Sequence, residues 1–567
     1  MGAQTALALL LAAVAVIVMV NWISERTGIP SAALLVLVGI GYALLPGPNI
    51  GLDPDVVMAC ILPPLLYNAA LEASLVGIRR NLRTVISLSV ILVLVTALLV
   101  GLAFGLLVSG ATLAVGIALG ASVAPTDPVA ALAVARKVGL PLNIVTLIEG
   151  EGLLNDATAL TTLSVAIAVA RGAGFSMLSA VLEFVLAALG GLAVGLVLAF
   201  CRRLVRRWTH DVLTANAISL ATPFVTYLAA EKVHTSGVLA VVVCGLIVGH
   251  DSPRSESAAS RLQTRAVWQL VNFLLEGLVF LLIGQQLPTI LDGLNGYEPS
   301  TIIVAITITV TVVLLMRPLW LLLTQSLPRP LHTRLGNASG TVSDDDTQTT
   351  ASRGQRDRNS ERLSGREIFV LSWAGTRGVV SLAAIFAVPF VTDSGAPIPN
   401  RDLLLFCTFV VVLVTLIGQG ITFAPVVRAL GLRANAVDEV RLRNQARMAA
   451  VHAALDRLDE LDQQDRDDVD TRAIAAARDQ LSSHLERYQR RLDLLESSES
   501  DEIPISPGYE AAAGIRRAAI DAQRDELVRW RDAGMLPDRS LRVLQRELDH
   551  EEGTLPMGTP RSRRRNP

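Results

Sequence analysis

The chain has 567 residues, a formal net charge of -2 and 51% apolar side chains, of which few are aromatic (4%). Its mean hydropathy is +0.50. That balance argues against a disordered or nucleic-acid-binding chain and points to a membrane protein whose apolar mass is Ala, Val, Leu and Gly, with lipid as its main neighbour.

Thirteen apolar runs are long enough to cross about 30 Å of hydrocarbon: 4–23, 29–46, 54–74, 84–108, 111–135, 142–170, 176–201, 211–230, 235–250, 266–291, 300–323, 366–391 and 402–427. The first lacks the basic stretch that precedes a signal peptide's apolar core, so it reads as a membrane helix. One set of alternate loops carries Arg26; Arg79, Arg80 and Arg83; Arg136 and Lys137; Arg202, Arg203, Arg206 and Arg207; and Arg254, Arg261 and Arg265. The opposite set carries only Arg171, Lys232 and Arg401. The positive-inside rule makes the first set cytoplasmic. It therefore predicts a multi-pass protein of the plasma (inner) membrane with its N-terminus outside and its C-terminus in the cytoplasm. Four scattered cysteines (Cys60, Cys201, Cys244, Cys407) have no metal-ligand spacing, and neither a disulfide nor a cofactor is expected.

Two parts are expected: a membrane domain over 1–428 and a cytoplasmic helical tail over 429–567. Within the first, 328–365 is polar and too poor in large apolar residues to fold, and reads as a disordered cytoplasmic loop. In the tail, Leu455, Leu458 and Leu461 recur at helical spacing, and Ile-Pro-Ile-Ser-Pro-Gly at 503–508 breaks the pattern. The tail thus reads as amphipathic helices, either a regulatory module or a solvated appendage that aids dimer stability.

The chemistry concentrates between Val123 and Asp156. A carboxylate in hydrocarbon costs roughly 2.5 kcal/mol or more, yet Asp127, Glu149, Glu151 and Asp156 fall in or beside two membrane runs. A bound cation or proton is the natural compensation. Pro125 and Pro128 flank Thr126 and Asp127, remove backbone donors, and predict an unwound stretch in mid-membrane. Such a stretch offers free carbonyls for ion coordination. Asp127 adds a carboxylate and Thr126 a hydroxyl. One run later, Glu151 and Asn155 share a helical face, with Asp156 rotated from it. On this spacing Asp156 can point at the break near Thr126 and titrate, while Glu151 is held in a permanent ion pair. Either Arg317 or Arg377 can supply the cation. Gly375 and Gly378 bracket Thr376-Arg377 and predict a second broken helix, whose charge is opposite to that of the first. In crossed broken helices opposite charges offset the half-helix dipoles. Asn68 adds a polar group deep in the third run, with Glu72 one turn on; Asn272 and Glu276 form a polar stripe on the tenth, read here as helix–helix hydrogen bonding.

These motifs resemble those of the cation/proton antiporter-1 family of bacterial sodium/proton antiporters, relatives of the animal sodium/hydrogen exchangers. The resemblance rests on Leu-Pro-Pro-Leu-Leu-Tyr at 62–67, Ala-Pro-Thr-Asp-Pro-Val at 124–129, Glu-Gly-Leu-Leu-Asn-Asp at 151–156, Gly-Leu-Val-Phe-Leu-Leu-Ile-Gly at 277–284 and Gly-Thr-Arg-Gly-Val-Val-Ser at 375–381. It implies an all-α fold of inverted repeats with two crossed broken helices, a homodimer, and elevator-like alternating access. It also implies that Asp156 binds Na+ or H+ beside Asp127 and Asn155, with one-for-one electroneutral exchange. Many relatives carry an acidic residue at the position of Asn68 and Ser at that of Gly152, which leaves the preferred cation open between Na+, Li+ and K+. Two other classes fit less well: an intramembrane aspartyl protease, which lacks its Gly-x-Gly-Asp stretch here, and a membrane sensor signalling through the tail.

Overall fold

The computed structural model describes residues 3–45, 54–172, 177–208, 211–326, 363–432, 436–463, 471–496, 507–533 and 535–553. The expected disordered loop lies outside them except for 363–365, as do the closing arginines. The chain divides into two compact units, Met1–Arg433 and Ala434–Pro567. All regular elements among the described residues are helices.

The first unit opens with α1 (Ala3–Thr27), α2 (Ser31–Ala43), α3 (Pro54–Glu72) and α4 (Leu82–Leu107). The fifth run, expected to be interrupted, is two half-helices, α5 (Leu113–Val123) and α6 (Val129–Val138). There follow α7 (Leu142–Arg171), α8 (Met177–Trp208), α9 (Val212–Lys232), α10 (Gly237–Ser255), α11 (Ala258–Gln285) and α12 (Pro299–Ser326). The twelfth run is again split, into α13 (Gly365–Trp373) and α14 (Val379–Phe386), before α15 (Arg401–Leu430). Among the described residues nine helices are long and apolar enough to cross a membrane, and Ser31–Ala43, Leu113–Val123 and Gly237–Pro253 are shorter apolar ones.

Local chemistry sets the ends. Thr112 accepts a hydrogen bond from the Val115 N–H at 3.3 Å and starts α5. Ser364 and Glu367 form a reciprocal capping box at the start of α13. Gly139, at φ 73°, ends α6 in the left-handed conformation that a side chain disfavours.

The helices pack as two bundles. In one, α4, α5 to α7 and α12 to α15 surround the broken helices; in the other, α1 to α3 pack with α8 to α11. Small residues bring backbones together, as expected where lipid removes any hydrophobic drive between helices. A Cβ on Gly120 would meet the Ala97 carbonyl of α4, and one on Gly284 would meet Gly39 Cα at 2.8 Å.

The second unit holds α16 (Ala436–Gln463), α17 (Thr471–Glu496), α18 (Pro507–Asp532) and α19 (Asp538–Gly553). They pack as two pairs. Arg478 of α17 bridges Asp459 (2.6 Å) and Asp462 (3.5 Å) of α16, and Arg524 of α18 bridges Asp549 (2.5 Å) and Glu552 (2.6 Å) of α19. In each case the two carboxylates hold the guanidinium above its ordinary range.

Candidate functional site

The two helix breaks touch through their backbones. The Asp127 N–H donates to the Thr376 carbonyl and the Thr376 hydroxyl donates to the Asp127 carbonyl, both at 2.7 Å. Four half-helix ends therefore converge, two with bare carbonyls and two with bare N–H groups. Each break brings the charge that suits one pair of ends. Arg377 Nε donates to Val123 O, the last residue of α5, at 3.0 Å, and Nη1 donates to Gly375 O just past α13. Asp127 Oδ1 accepts from the Val129 N–H at the start of α6 at 2.9 Å, while Oδ2 lies against Gly378, the cap of α14. A cation at the carboxyl ends and a carboxylate at the amino ends each oppose the helix dipole. Only glycine fits at 378, because a Cβ there would overlap Asp127 Oδ2.

The two arginines divide. Arg317 of α12, 3% exposed, makes a bidentate pair with Glu151: Nη1 meets Oε1, and Nη2 meets Oε2 at 2.8 Å. Its Nε donates to Leu371 O of α13 at 2.8 Å, so the side chain is fully used inside the bundle and does not reach out to headgroups. Arg377 does not join Glu151, because the free carbonyls of the breaks take its donors. On α7, Asp156 shares a cavity with the break at Thr126, as its spacing allowed, and Glu151, expected to serve its ion pair alone, reaches the break as well. Thr126 Oγ1 donates to Glu151 Oε1 at 2.8 Å, and Asn155 Nδ2 donates to Thr126 O at 2.9 Å and to its hydroxyl at 3.0 Å. Asn155 Oδ1 is buried without a hydrogen-bond partner. The Ser89 hydroxyl, on the π-helical turn Ser87–Ile91 of α4, donates to the Glu151 backbone carbonyl at 3.2 Å.

Asp156 faces the break across a cavity of about 270 Å³ shared with Asp127, Thr126, Pro125, Pro128 and Ser381. Asp156 is 6% exposed, and no described group donates a hydrogen bond to it. The cavity has room for several waters. Asn68 and Glu72 of α3 and Glu149 of α7 also line it, as do Asn272 and Glu276 of α11. The last two were read from sequence as helix–helix glue. One hydrogen bond runs within α11, from Asn272 Nδ2 to Glu276 Oε1, and both residues also face the site. Their four-residue spacing fits either role, so pattern alone could not separate them. Gly152 lets α7 approach the break: a Cβ there would come within 2.5 Å of Pro128 Cγ.

Crossed, charge-compensated broken helices beside a cavity that two intramembrane carboxylates share define a secondary transporter rather than an enzyme. Comparison with known proteins places it further. Residues 10–429 match the family model for the transmembrane region of sodium/hydrogen exchangers, and the chain belongs to that family. It is a multi-pass membrane protein and a sodium/proton antiporter by family, of the cation/proton antiporter-1 type that the motifs resembled. It is 32% identical over 562 residues to an uncharacterised Na+/H+ exchanger of Mycobacterium tuberculosis, covering 97% of this chain and 96% of that one. It is 30% identical over 432 residues to the Na+/H+ antiporter ApNhaP of Aphanothece halophytica, covering 76% and 74%. A Bacillus subtilis relative described as a sodium, potassium, lithium and rubidium/H+ antiporter is 32% identical over 403 residues, covering 69% and 56%. Among solved structures, the sodium proton antiporter MjNhaP1 of Methanocaldococcus jannaschii at pH 8 shares the fold, with a TM-score of 0.57 at 21% identity, over 75% of this chain and 99% of that one.

Proposed function

We propose that the protein exchanges Na+ or Li+ for H+ across the bacterial plasma membrane at one site centred on Asp156. What supports this reading is the position of Asp156: buried, without a hydrogen-bond donor among the described residues, and on a cavity shared with Asp127. A desolvated carboxylate needs either a proton or a cation. The two are mutually exclusive at one carboxylate, and both neutralise it. The loaded core then crosses, and the empty charged core does not, which couples the two fluxes. Asp127 is a second carboxylate for Na+. Thr126, Asn155 and Asn68 supply neutral oxygens or fix the break. Glu151 and Arg317 hold α7, α12 and α13 together through every state, and Arg377 with Pro125, Pro128, Gly375 and Gly378 maintains the crossing.

In this reading the two broken helices each count as one crossing. The twelve apolar helices and the α13–α14 pair then make thirteen crossings. That odd number agrees with an outside N-terminus and a cytoplasmic C-terminus; inverted repeats and a homodimer as the working unit complete the reading. K+/H+ exchange is the second reading, favoured by the neutral Asn68 on the cavity and by the potassium in the cation range of the B. subtilis relative. The experiment is proton release from acid-loaded inside-out vesicles on adding Na+, Li+ or K+. Release by Na+ or Li+, absent in Asp156→Ala, is expected. Release by K+ alone would favour the second reading, and release by the Ala variant would refute the site.

A further inference from the structure

We propose that Glu276, oriented by Asn272, sets cation affinity on one face of the membrane only. The inference rests on the exchange reading above and assigns a role that the two aspartates do not fill. The cavity has two walls that belong to different bundles. Asp127, Thr126 and Asp156 come from the bundle of broken helices; Asn68, Asn272 and Glu276 come from the bundle of α1 to α3 and α8 to α11. On the second wall the Asn272 amide holds one Glu276 oxygen one helical turn away, which keeps the carboxylate at the cavity.

Glu276 cannot travel with Asp156. Its helix is locked to α2 by backbone contact: a Cβ on Gly284 would come within 2.7 Å of Ile40 N, and one on Gly39 would come within 3.0 Å of Gly284 Cα. Thr126 and Asn155, by contrast, are hydrogen-bonded to each other within the opposite bundle and must move together. Alternating access requires one bundle to shift against the other, so Glu276 faces the cation in one state and loses it in the next. The state is identifiable. Glu276 lies eleven residues beyond Arg265, about 16 Å along the helix, from the arginine-rich face that reads as cytoplasmic. Glu276 is thus near the middle of its span, and the cavity that reaches it has Glu72 and Glu149 on its wall, both from the cytoplasmic half of their helices. A carboxylate that meets the cation in this state alone strengthens capture from the cytoplasm and leaves release outside unhindered.

The test measures the half-saturating Na+ concentration on each face, in inside-out and right-side-out vesicles, for wild type, Glu276→Gln and Glu276→Asp. Removing one charge from the wall of a hydrated site is expected to raise the cytoplasmic value roughly tenfold. The ratio between the two faces is expected to shift by the same factor, with partial recovery in the Asp variant. Equal shifts on both faces, or no shift on either, would overturn the proposal. If the Gln variant is not recovered folded, Asn272→Leu releases the carboxylate and is expected to move the same ratio by a smaller factor; an unmoved ratio there overturns it equally. Absence of cation-driven proton flux in wild type would instead refute the exchange reading beneath it.

Discussion

Substituting Gly378 with Ala tests whether the crossing positions the cation site. A Cβ at this residue would overlap Asp127 Oδ2 and stand 2.6 Å from its Cγ and 2.7 Å from its Cβ. Carbon atoms rest about 3.5–4.0 Å apart, so Asp127 must move by about 1 Å. It has little freedom to do so. Oδ1 is held by the Val129 N–H at 2.9 Å, and the backbone N–H by Thr376 O at 2.7 Å. Giving up the charge-assisted bond costs about 1.5–3 kcal/mol, and forcing the side chain off its rotamer costs about 0.5–1.5 kcal/mol. A total of about 2–4.5 kcal/mol taken from the bound state corresponds to a thirty- to roughly two-thousandfold loss of cation affinity. The assay is the half-saturating Na+ concentration for proton release in inside-out vesicles. Gly418→Ala is the matched control, because a Cβ there meets nothing within 4 Å. Wild-type affinity in Gly378→Ala would show that Asp127 does not need this position, and would refute the reasoning.

Arg317→Leu leaves Glu151 buried with only the Thr126 hydroxyl. It is expected to cost about 3–5 kcal/mol and to lower the thermal midpoint in detergent, while Glu151→Leu combined with Arg317→Leu recovers part of that loss; equal midpoints for the single and double variants would count against it. Gly152→Ser and Gly152→Ala both drive a Cβ to within 2.5 Å of Pro128 Cγ. Overpacking of about 1–3 kcal/mol is expected to slow exchange in both, and full exchange in the Ser variant would show that Pro128 can yield. Outside the membrane, Asp211 caps α9, and the Thr214 N–H and hydroxyl, at 2.8 and 2.9 Å, hold its carboxyl below the ordinary range. The cap binds the ionised form, so its stabilisation is complete above the unfolded-chain value of about 4 and is lost as pH falls through the lower folded value. Asp211→Ala is expected to lower the thermal midpoint at pH 7, with the difference shrinking on acidification; a difference that grows toward acid would reverse the sign.

The parts legible in the sequence are those whose cause is local. Two prolines around Thr126-Asp127 and two glycines around Thr376-Arg377 break their helices whatever surrounds them, and both breaks are present. The spacing of Glu151 and Asn155 also gave their shared face. What spacing cannot give is absolute azimuth. The face carrying Glu151 and Asn155 meets Thr126 directly, and Asp156 faces the same break across the cavity. Partner choice was out of reach for the same reason. Arg317 lies 166 residues from Glu151, and only the packing of α12 against its neighbours selects it over Arg377. The cavity-lining place of Asn272 and Glu276 was not legible, because a polar stripe on a helix looks the same whether it faces another helix or a cavity.

The central claim is that proton and cation compete for Asp156. The direct measurement is the half-saturating Na+ concentration as a function of pH in inside-out vesicles, with the maximal rate followed alongside. Single-site competition is expected to raise the half-saturating concentration tenfold for each unit of acidification below the carboxylate's titration, at constant maximal rate, and Asp156→Ala is expected to abolish exchange while melting like wild type. A half-saturating concentration that stays fixed while the maximal rate falls with acid would contradict competition and move the proton to a separate site.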